Sequence, residues 1–389
     1  MKNVHVGLLI ERTRAYGRRV CEGIASYASS CPDVTLDMLA WDEFRGLRKE
    51  NSFDAFIVRV LDEAMAEKLV MLGKPTVDVY YSCRRPGFAT VDLDNEAIAN
   101  LVFEHFRERG FRNFGYCGYD GIRFSDVRRE AFIRAASAAG ECFSYTTPPA
   151  VTRQFADDVV RNERYSPSAR ENGKLMRWIR SVPKPIAVFC SHDLRAYQLL
   201  KLCRTCGIAV PDQVAIVGCD DDPILCELTT PALTSVDPDG YAVGRTAVEV
   251  AVKMVRDRRF KSSPPVRLIP SRRICVRASS EVYPIQPSFL SDALVFIRRH
   301  CREGIGASDV FAHLGRAHTH VEAAFRKVLG TTVQKAIVNA RLDEAQHLLR
   351  ETNLSVSEIA RQSGFSSSQY FCRVFRAVRG CAPAAVRGA

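Results

Sequence analysis

The sequence predicts two fold classes in one chain. An α/β domain of two lobes, each a parallel sheet with helices on both faces, is expected over residues 1–282, and an all-α domain with two helix-turn-helix motifs over 291–389, with a linker at 283–290. Three observations predict this. From His5 to about Ser280, short apolar runs alternate with amphipathic stretches, the pattern left by parallel strands joined through crossover helices. Near the carboxyl end a pattern occurs twice: Val321, Phe325 and Gly330 return as Phe371, Phe375 and Gly380, each 50 residues later. Charge is also uneven. Of a formal +11, the part from Ile285 onward supplies +6 from barely a quarter of the chain, which suits a polyanionic partner.

The α/β part begins with VHVGLLI (4–10) as a strand and a helix from about Ala15 to Ala28. FDAFIV (53–58), a helix over Asp62–Leu72 and PTVDVY (75–80) follow. A helix over Asn95–Arg109 leads to FRNFGYCG (111–118) and to another helix from about Ser125 to Ala139. PIAVFC (185–190), a helix to about Cys206, VAIVGCD (214–220) and PALTSVD (231–237) come next, then a helix from Gly240 to about Arg256 and the run VRLIPSRRICVRAS (266–279). This length suits two sheets, hence two lobes around a cleft. The linker, Tyr283 to Ser288 at its centre, holds two prolines and reads as a semi-rigid joint.

In the tail, Ser355 to Arg387 reads as helix, tight turn at Gly364, helix. Val356, Ile359 and Ala360 give the first helix its apolar face; Phe371, Val374, Phe375 and Val378 give the second one stripe. Ser367, Ser368, Gln369, Arg373 and Arg376 are left outward, where hydroxyls and amides read base edges and arginines reach bases or phosphates. The earlier copy turns at Gly315 and offers His318, Thr319, His320 and Glu322, with Arg326 and Lys327 beyond. Between the copies Val338, Leu342, Ala345 and Leu349 fall at helical spacing, so one rigid helix should hold two reading helices about one duplex turn apart, ~34 Å. His318 and His320 are two apart and cannot share a helix face, so no metal site is expected there.

The run from Gly304 to Arg387 resembles the AraC-type DNA-binding domain, through Gly364, Phe365, Ser368, Phe371, Arg373, Phe375, Arg376, Gly380, Pro383 and Arg387. It departs from that pattern at Val386, usually aromatic, at Ala382, usually hydroxylated, and at Arg316, where an apolar residue normally follows the turn glycine and whose charge is expected to loosen the first turn. The resemblance implies double-stranded operator DNA as partner.

Ligands of open α/β folds bind beyond the carboxyl ends of the strands. The residues there are Glu11 to Arg14, Arg59, Tyr119 to Phe124 with Arg128, Ser191 to Asp193, and Asp220 to Asp222. Acceptors and forked donors together suit a hydroxyl-rich ligand, and Tyr16 or Phe124 suits the face of a sugar ring. CSHDLRAYQLLKLCRTCGIAVPDQVAIVGCDDDPI, followed by TTPALTSVDPD, is similar to the effector domains of LacI/GalR repressors and periplasmic sugar-binding proteins. That resemblance implies sugar hydroxyl contacts at Arg128, Asp193 and Asp220, with Glu11 and Thr13 standing where amides are expected. A module of this type ahead of an AraC-type module resembles the regulators of pentose-utilisation operons. The implied reading is a cytoplasmic homodimeric transcription regulator, an activator working with RNA polymerase, whose effector is a monosaccharide, D-xylose first. A DNA-repair alkyltransferase carrying an AraC-type module and a ligand-independent DNA-binding protein are the alternatives.

Other classes fall away on composition. No apolar run approaches the roughly 18 residues that span a membrane, and the amino terminus reads as a first strand rather than a secretory signal. Fourteen cysteines are scattered without a framework, which favours reduced thiols. Cys203 and Cys206 form one CxxC, half of a zinc site. No cofactor, metal or catalytic residue is expected.

Overall fold

Twelve strands make two six-stranded sheets in the computed structural model, which describes residues 3–80, 85, 87–148, 168–257, 264–283, 287–352 and 354–386. The chain divides into two units, Met1–Glu281 and Val282–Ala389. The first opens with β1 (Val4–Leu9), α1 (Ala15–Ser29), β2 (Val34–Met38), α2 (Trp41–Gly46), β3 (Ala55–Val58), α3 (Glu63–Leu72), β4 (Thr76–Asp78) and β5 (Phe88–Leu93). It continues through α4 (Asn95–Glu108), β6 (Asn113–Tyr119), α5 (Arg123–Ser137), β7 (Glu141–Thr147), α6 (Ala169–Ser181), β8 (Ile186–Cys190), α7 (Asp193–Thr205) and β9 (Val214–Cys219). Then come α8 (Pro223–Leu228), β10 (Thr234–Asp237), α9 (Gly240–Arg256), β11 (Val266–Ile269) and β12 (Arg273–Cys275).

The first lobe orders its sheet β11-β5-β4-β3-β1-β2 and the second β12-β10-β9-β8-β6-β7. Among the described residues the chain passes between lobes after β5, after β10 and between β11 and β12. These crossings are tied side by side. The Asp94 amide donates to the Ile269 carbonyl at 2.8 Å and the Arg272 amide to the Asp237 carbonyl at 3.0 Å. Asp94 and Asp239 also cap the helices that leave the crossings, accepting from Ala97 and Ala242 amides at 2.9 and 3.0 Å.

The expected α/β elements are present, but several were not foreseen. In β2 only Val34 is buried, and β7 is a half-exposed edge, so neither shows a clean apolar run. β5 is buried throughout yet contains Thr90 and Asp92, polar residues that interrupt its pattern. α6 buries only Glu171, Leu175 and Ile179. Residues 266–279, expected as one run, split at Pro270 into β11 in the first sheet and β12 in the second. β12 pairs antiparallel with β10, a correction to the all-parallel expectation.

The second unit contains α10 (Phe289–His300), α11 (Ala307–Leu314), α12 (His318–Ala324, continued by a π turn Phe325–Leu329), α13 (Val333–Glu351), α14 (Val356–Gln362), α15 (Ser368–Arg379) and α16 (Pro383–Val386). Phe289 and Leu290, the last residues of the expected linker, lie inside α10 because both are apolar and buried in the first of two cores. Linker residues 284–286 and Arg387 lie outside the described residues.

α13 belongs to both cores: Val333 and Ile337 pack in the first, Leu342, Ala345 and Leu349 in the second. The Arg341 guanidinium donates to Cys301 and Ile305 carbonyls at 3.0 and 2.7 Å, joining the two halves. Gly364 sits at φ +84°, and a Cβ there would lie 2.1 Å from the Cys301 carbonyl oxygen, so the second turn requires glycine twice over. The apolar stripe of α15 is shorter than expected. Phe371 and Phe375 fill the space beside Ile359, Ala360 and Phe365, while Val378 is 48% exposed.

Candidate effector cleft and nucleic-acid interface

The strand-end loops of the two lobes bring together an acidic and basic cluster flanked by aromatic rings. From the second lobe comes Asp220, directly after β9, at φ +122°, followed by Asp221 at φ +44°. Consecutive non-glycine residues at positive φ store backbone strain. Burial pushes the Asp220 carboxyl up to about 6, opposed by Arg128 and then Arg59. Arg128 on α5 is fully buried; its Nε donates to Asn95 Oδ1 at 2.8 Å and its Nη1 to the Ser191 carbonyl at 2.5 Å. The same guanidinium lies 5.1 Å from the Phe124 ring centre.

The first lobe faces this with Asp92, Arg59, Tyr16 and Tyr80. Burial pushes Asp92 up to about 6 while the Leu93 amide and Arg128 hold it down. Arg59 lies 4.2 Å over Tyr80 and pairs with Glu11 at 3.0 Å. The Tyr80 and Phe124 rings approach to 6.1 Å across the lobes. The Tyr16 hydroxyl donates to the Val79 carbonyl at 2.8 Å; burial, then Asp92, raises its pKa. His192 packs against Tyr119 and Phe124 at 5.5 and 6.0 Å. Burial and the surrounding arginines depress its pKa, so it is neutral at pH 7.

Of the expected sugar residues, Tyr16, Phe124, Arg128 and Asp220 meet in this cluster. Glu11 and Thr13 sit at its edge and bond each other, with Glu11 also accepting the Arg14 amide at 3.1 Å. Asp193 is a correction. It is buried behind the loop: Oδ2 accepts the Asp222 amide at 2.8 Å and Oδ1 pairs with the Ser235 hydroxyl at 2.6 Å. It therefore shapes the Asp220 loop instead of facing a ligand. Asp92 and Tyr80 were missed; the signal was the unread strand β5 and the end of PTVDVY. His192 was noted after β8, but its neighbour Asp193 was preferred.

On the tail, Thr319, Gln369, Arg373 and Arg376 are exposed as expected, and so are Arg326 and Lys327 on the π turn. Ser367 caps α15, accepting the Tyr370 amide at 3.2 Å. Glu322 and Ser368 are half-buried. His318 packs edge-on against Phe311 at 4.6 Å and His320 lies 5.3 Å from Phe289. Arg316 lies over the same Phe289 ring at 4.7 Å, so its charge is held by an aromatic face rather than loosening the turn. We expect Arg373→Ala to weaken operator binding about five- to a hundredfold, since a good base contact contributes about 1–3 kcal/mol. Binding measured across a salt series assigns the contact: a smaller salt slope marks phosphate, an unchanged slope marks a base.

Every described cysteine is a free thiol, and among the described residues no three metal-ligating side chains gather to hold an ion. No helix among them is long and apolar enough to cross a membrane.

Residues 311–389 match a helix-turn-helix domain family and residues 103–280 a periplasmic binding protein-like domain family. The transcriptional activator AarP of Providencia stuartii is 33% identical over 102 residues, 26% of this chain and 76% of the activator. The chain belongs to the AraC-type helix-turn-helix transcription regulators. Likeness to this regulator also extends over nearly its full length. The xylose operon regulatory protein of Haemophilus influenzae is 26% identical over 383 residues, 95% of each chain. The solved structure of a xylose-binding transcription activator covers 99% of this regulator and 97% of its own chain, at 23% identity and a TM-score of 0.58, which shows the shared fold. These relatives are named as transcription regulators, which sets the alkyltransferase alternative aside.

Proposed function

We propose that this regulator binds D-xylose or a closely related monosaccharide between the lobes of its first unit and, as a cytoplasmic homodimer, changes its hold on operator DNA in response. The observation that carries this reading is the convergence of Asp220 and Arg128 from one lobe with Asp92, Arg59 and Tyr16 from the other. Sugar hydroxyls both donate and accept, so carboxylate acceptors interleaved with guanidinium donors match them, and Phe124 and Tyr80 supply apolar ring faces. The full-length relatives named for a xylose operon narrow the sugar class.

A ligand touching both lobes favours the closed form, and only that difference in affinity shifts the population. In a dimer the shift changes how two pairs of reading helices are presented to the half-sites. The outcome is activation, with RNA polymerase as the further partner. Thr319, Gln369, Arg373 and Arg376 carry operator recognition, with the exposed His318, His320, Arg326 and Lys327 as further contacts.

A thermal-shift panel of pentoses and hexoses tests the reading. We expect D-xylose to raise the melting temperature of the wild type and Asp220→Ala to lose at least a hundredfold in affinity while still binding DNA. A panel in which no sugar alters melting would favour a ligand-independent DNA-binding protein and end the proposal.

A further inference from the structure

One contact between the lobes lies outside the aromatic and charged cluster. Arg18, on the first turn of α1 in the first lobe, sends Nη1 to the Thr13 carbonyl at 2.9 Å and to the Arg12 carbonyl at 3.4 Å. Its Nη2 reaches Asp222 Oδ2 in the second lobe at 3.2 Å. One guanidinium therefore binds the loop after β1 and the loop after β9, the two loops that carry Glu11 and Asp220. Asp222 is firmly mounted. Its amide donates to Asp193 at 2.8 Å, and its other carboxylate oxygen accepts the Ile224 and Leu225 amides at 3.0 and 3.4 Å, capping α8.

We propose that Arg18 and Asp222 form a latch between the lobes that sets how far the ligand-free regulator is already closed, and so tunes effector affinity without touching the effector. The Arg18 side chain is 39% exposed and that of Asp222 9%, which places the pair at the rim of the cleft. With its Arg18 end open to water, the pair is individually weak and screened by salt. A weak latch is sufficient here, because lobe opening leaves each lobe's own core intact and separates only the contacts between the lobes. Apparent affinity scales with the fraction of protein already in the competent form, so a small bias appears directly in binding. Arg18 and Asp222 are positioning residues in this scheme.

The inference rests on the sugar-binding reading for its affinity arm and is independent of it for its conformational arm. In the full chain, Arg18→Ala and Asp222→Asn are each expected to weaken D-xylose binding about three- to tenfold by calorimetry. Asparagine keeps a side-chain oxygen for the Ile224 and Leu225 amides, so the helix cap survives. The double variant should lose no more than either single one. Wild-type affinity should fall towards that of the variants by 1 M salt, while the variants change little. Unchanged affinity in either single variant, or fully additive losses, overturns the latch. Should the wild type bind no D-xylose, hydrogen exchange of ligand-free protein still decides. Peptides spanning 88–93 and 119–128 should exchange several-fold faster in Arg18→Ala, and equal rates overturn the latch independently of any sugar.

Discussion

Phe375→Ala is expected to unfold the second helix-turn-helix and abolish specific operator binding while the first unit keeps its melting transition. Phe375 is fully buried, meets Phe371 nearly edge-on at 5.4 Å and 68°, and packs among Leu342, Ala345 and Ile359. Removing a buried phenyl ring costs about 3–5 kcal/mol through lost transfer energy and the cavity left behind. The second core is small, so few neighbours can relax into the space, and a loss of that size is most of what such a module has. Thermal melting followed by circular dichroism should show an early helical loss separated from the transition of the α/β unit. A single unshifted transition, or retained operator affinity, would count against this account of the core. Phe325 occupies the matching position in the first copy and is equally buried, so Phe325→Ala should act alike on that half.

Asp193→Ala is expected to remove the sugar response through the shape of the loop alone, whereas Asp193→Asn should largely preserve it. Burial first, then the charge of Asp220, raises the Asp193 carboxyl to about 8, so it is mostly protonated at pH 7. A neutral amide keeps the acceptor for the Asp222 amide, and its Nδ2 can donate to Ser235 once that hydroxyl, which donates to Asp193 here, turns its own proton away. Alanine leaves the buried Asp222 amide without its acceptor, a loss of about 1–3 kcal/mol, takes from the Ser235 hydroxyl its 2.6 Å acceptor, and releases the strained pair Asp220 and Asp221. Gly218 shows how closely this carboxyl is seated, since a Cβ there would lie 2.2 Å from Asp193 Oδ1.

The pH dependence has a definite sign. The folded state holds this proton over a range where the unfolded chain, with an ordinary carboxyl near 4, has released it. The stability so contributed is complete below about pH 4 and is lost as pH rises through about 8. Asp92 and Asp220, both raised to about 6, act with the same sign between about 4 and 6. Melting temperature of the wild type's first unit should therefore decline from about pH 7 to pH 9, above the range in which His192, its pKa depressed, acts with the opposite sign, and Asp193→Asn should flatten that decline. A wild-type curve that rises over the same range would refute the protonated form.

Much of this architecture was legible because the elements that carry it repeat a simple period. The glycine turns at 315 and 364, the buried pairs Val321 with Phe325 and Phe371 with Phe375, and the shared helix α13 could be read from spacing, since a helix must bury one stripe wherever it packs. The buried strands of the α/β unit were legible where they were uninterrupted, as in β8 and β9. β5 was not, because Thr90 and Asp92 break its apolar run; a central strand tolerates them only because its end faces the cleft.

The sequence by itself determined that an α/β ligand domain precedes a paired groove reader, because periodicity is a local consequence of which face each element buries. Only the tertiary structure decided which strand-end residues meet. Asp193 and Asp220 follow neighbouring strands and look alike in sequence, yet one turns inward to Ser235 and the Asp222 amide while the other turns toward Arg128. That choice depends on where β10 and the three lobe crossings place their partners, and contacts between residues far apart in the chain leave no period to read.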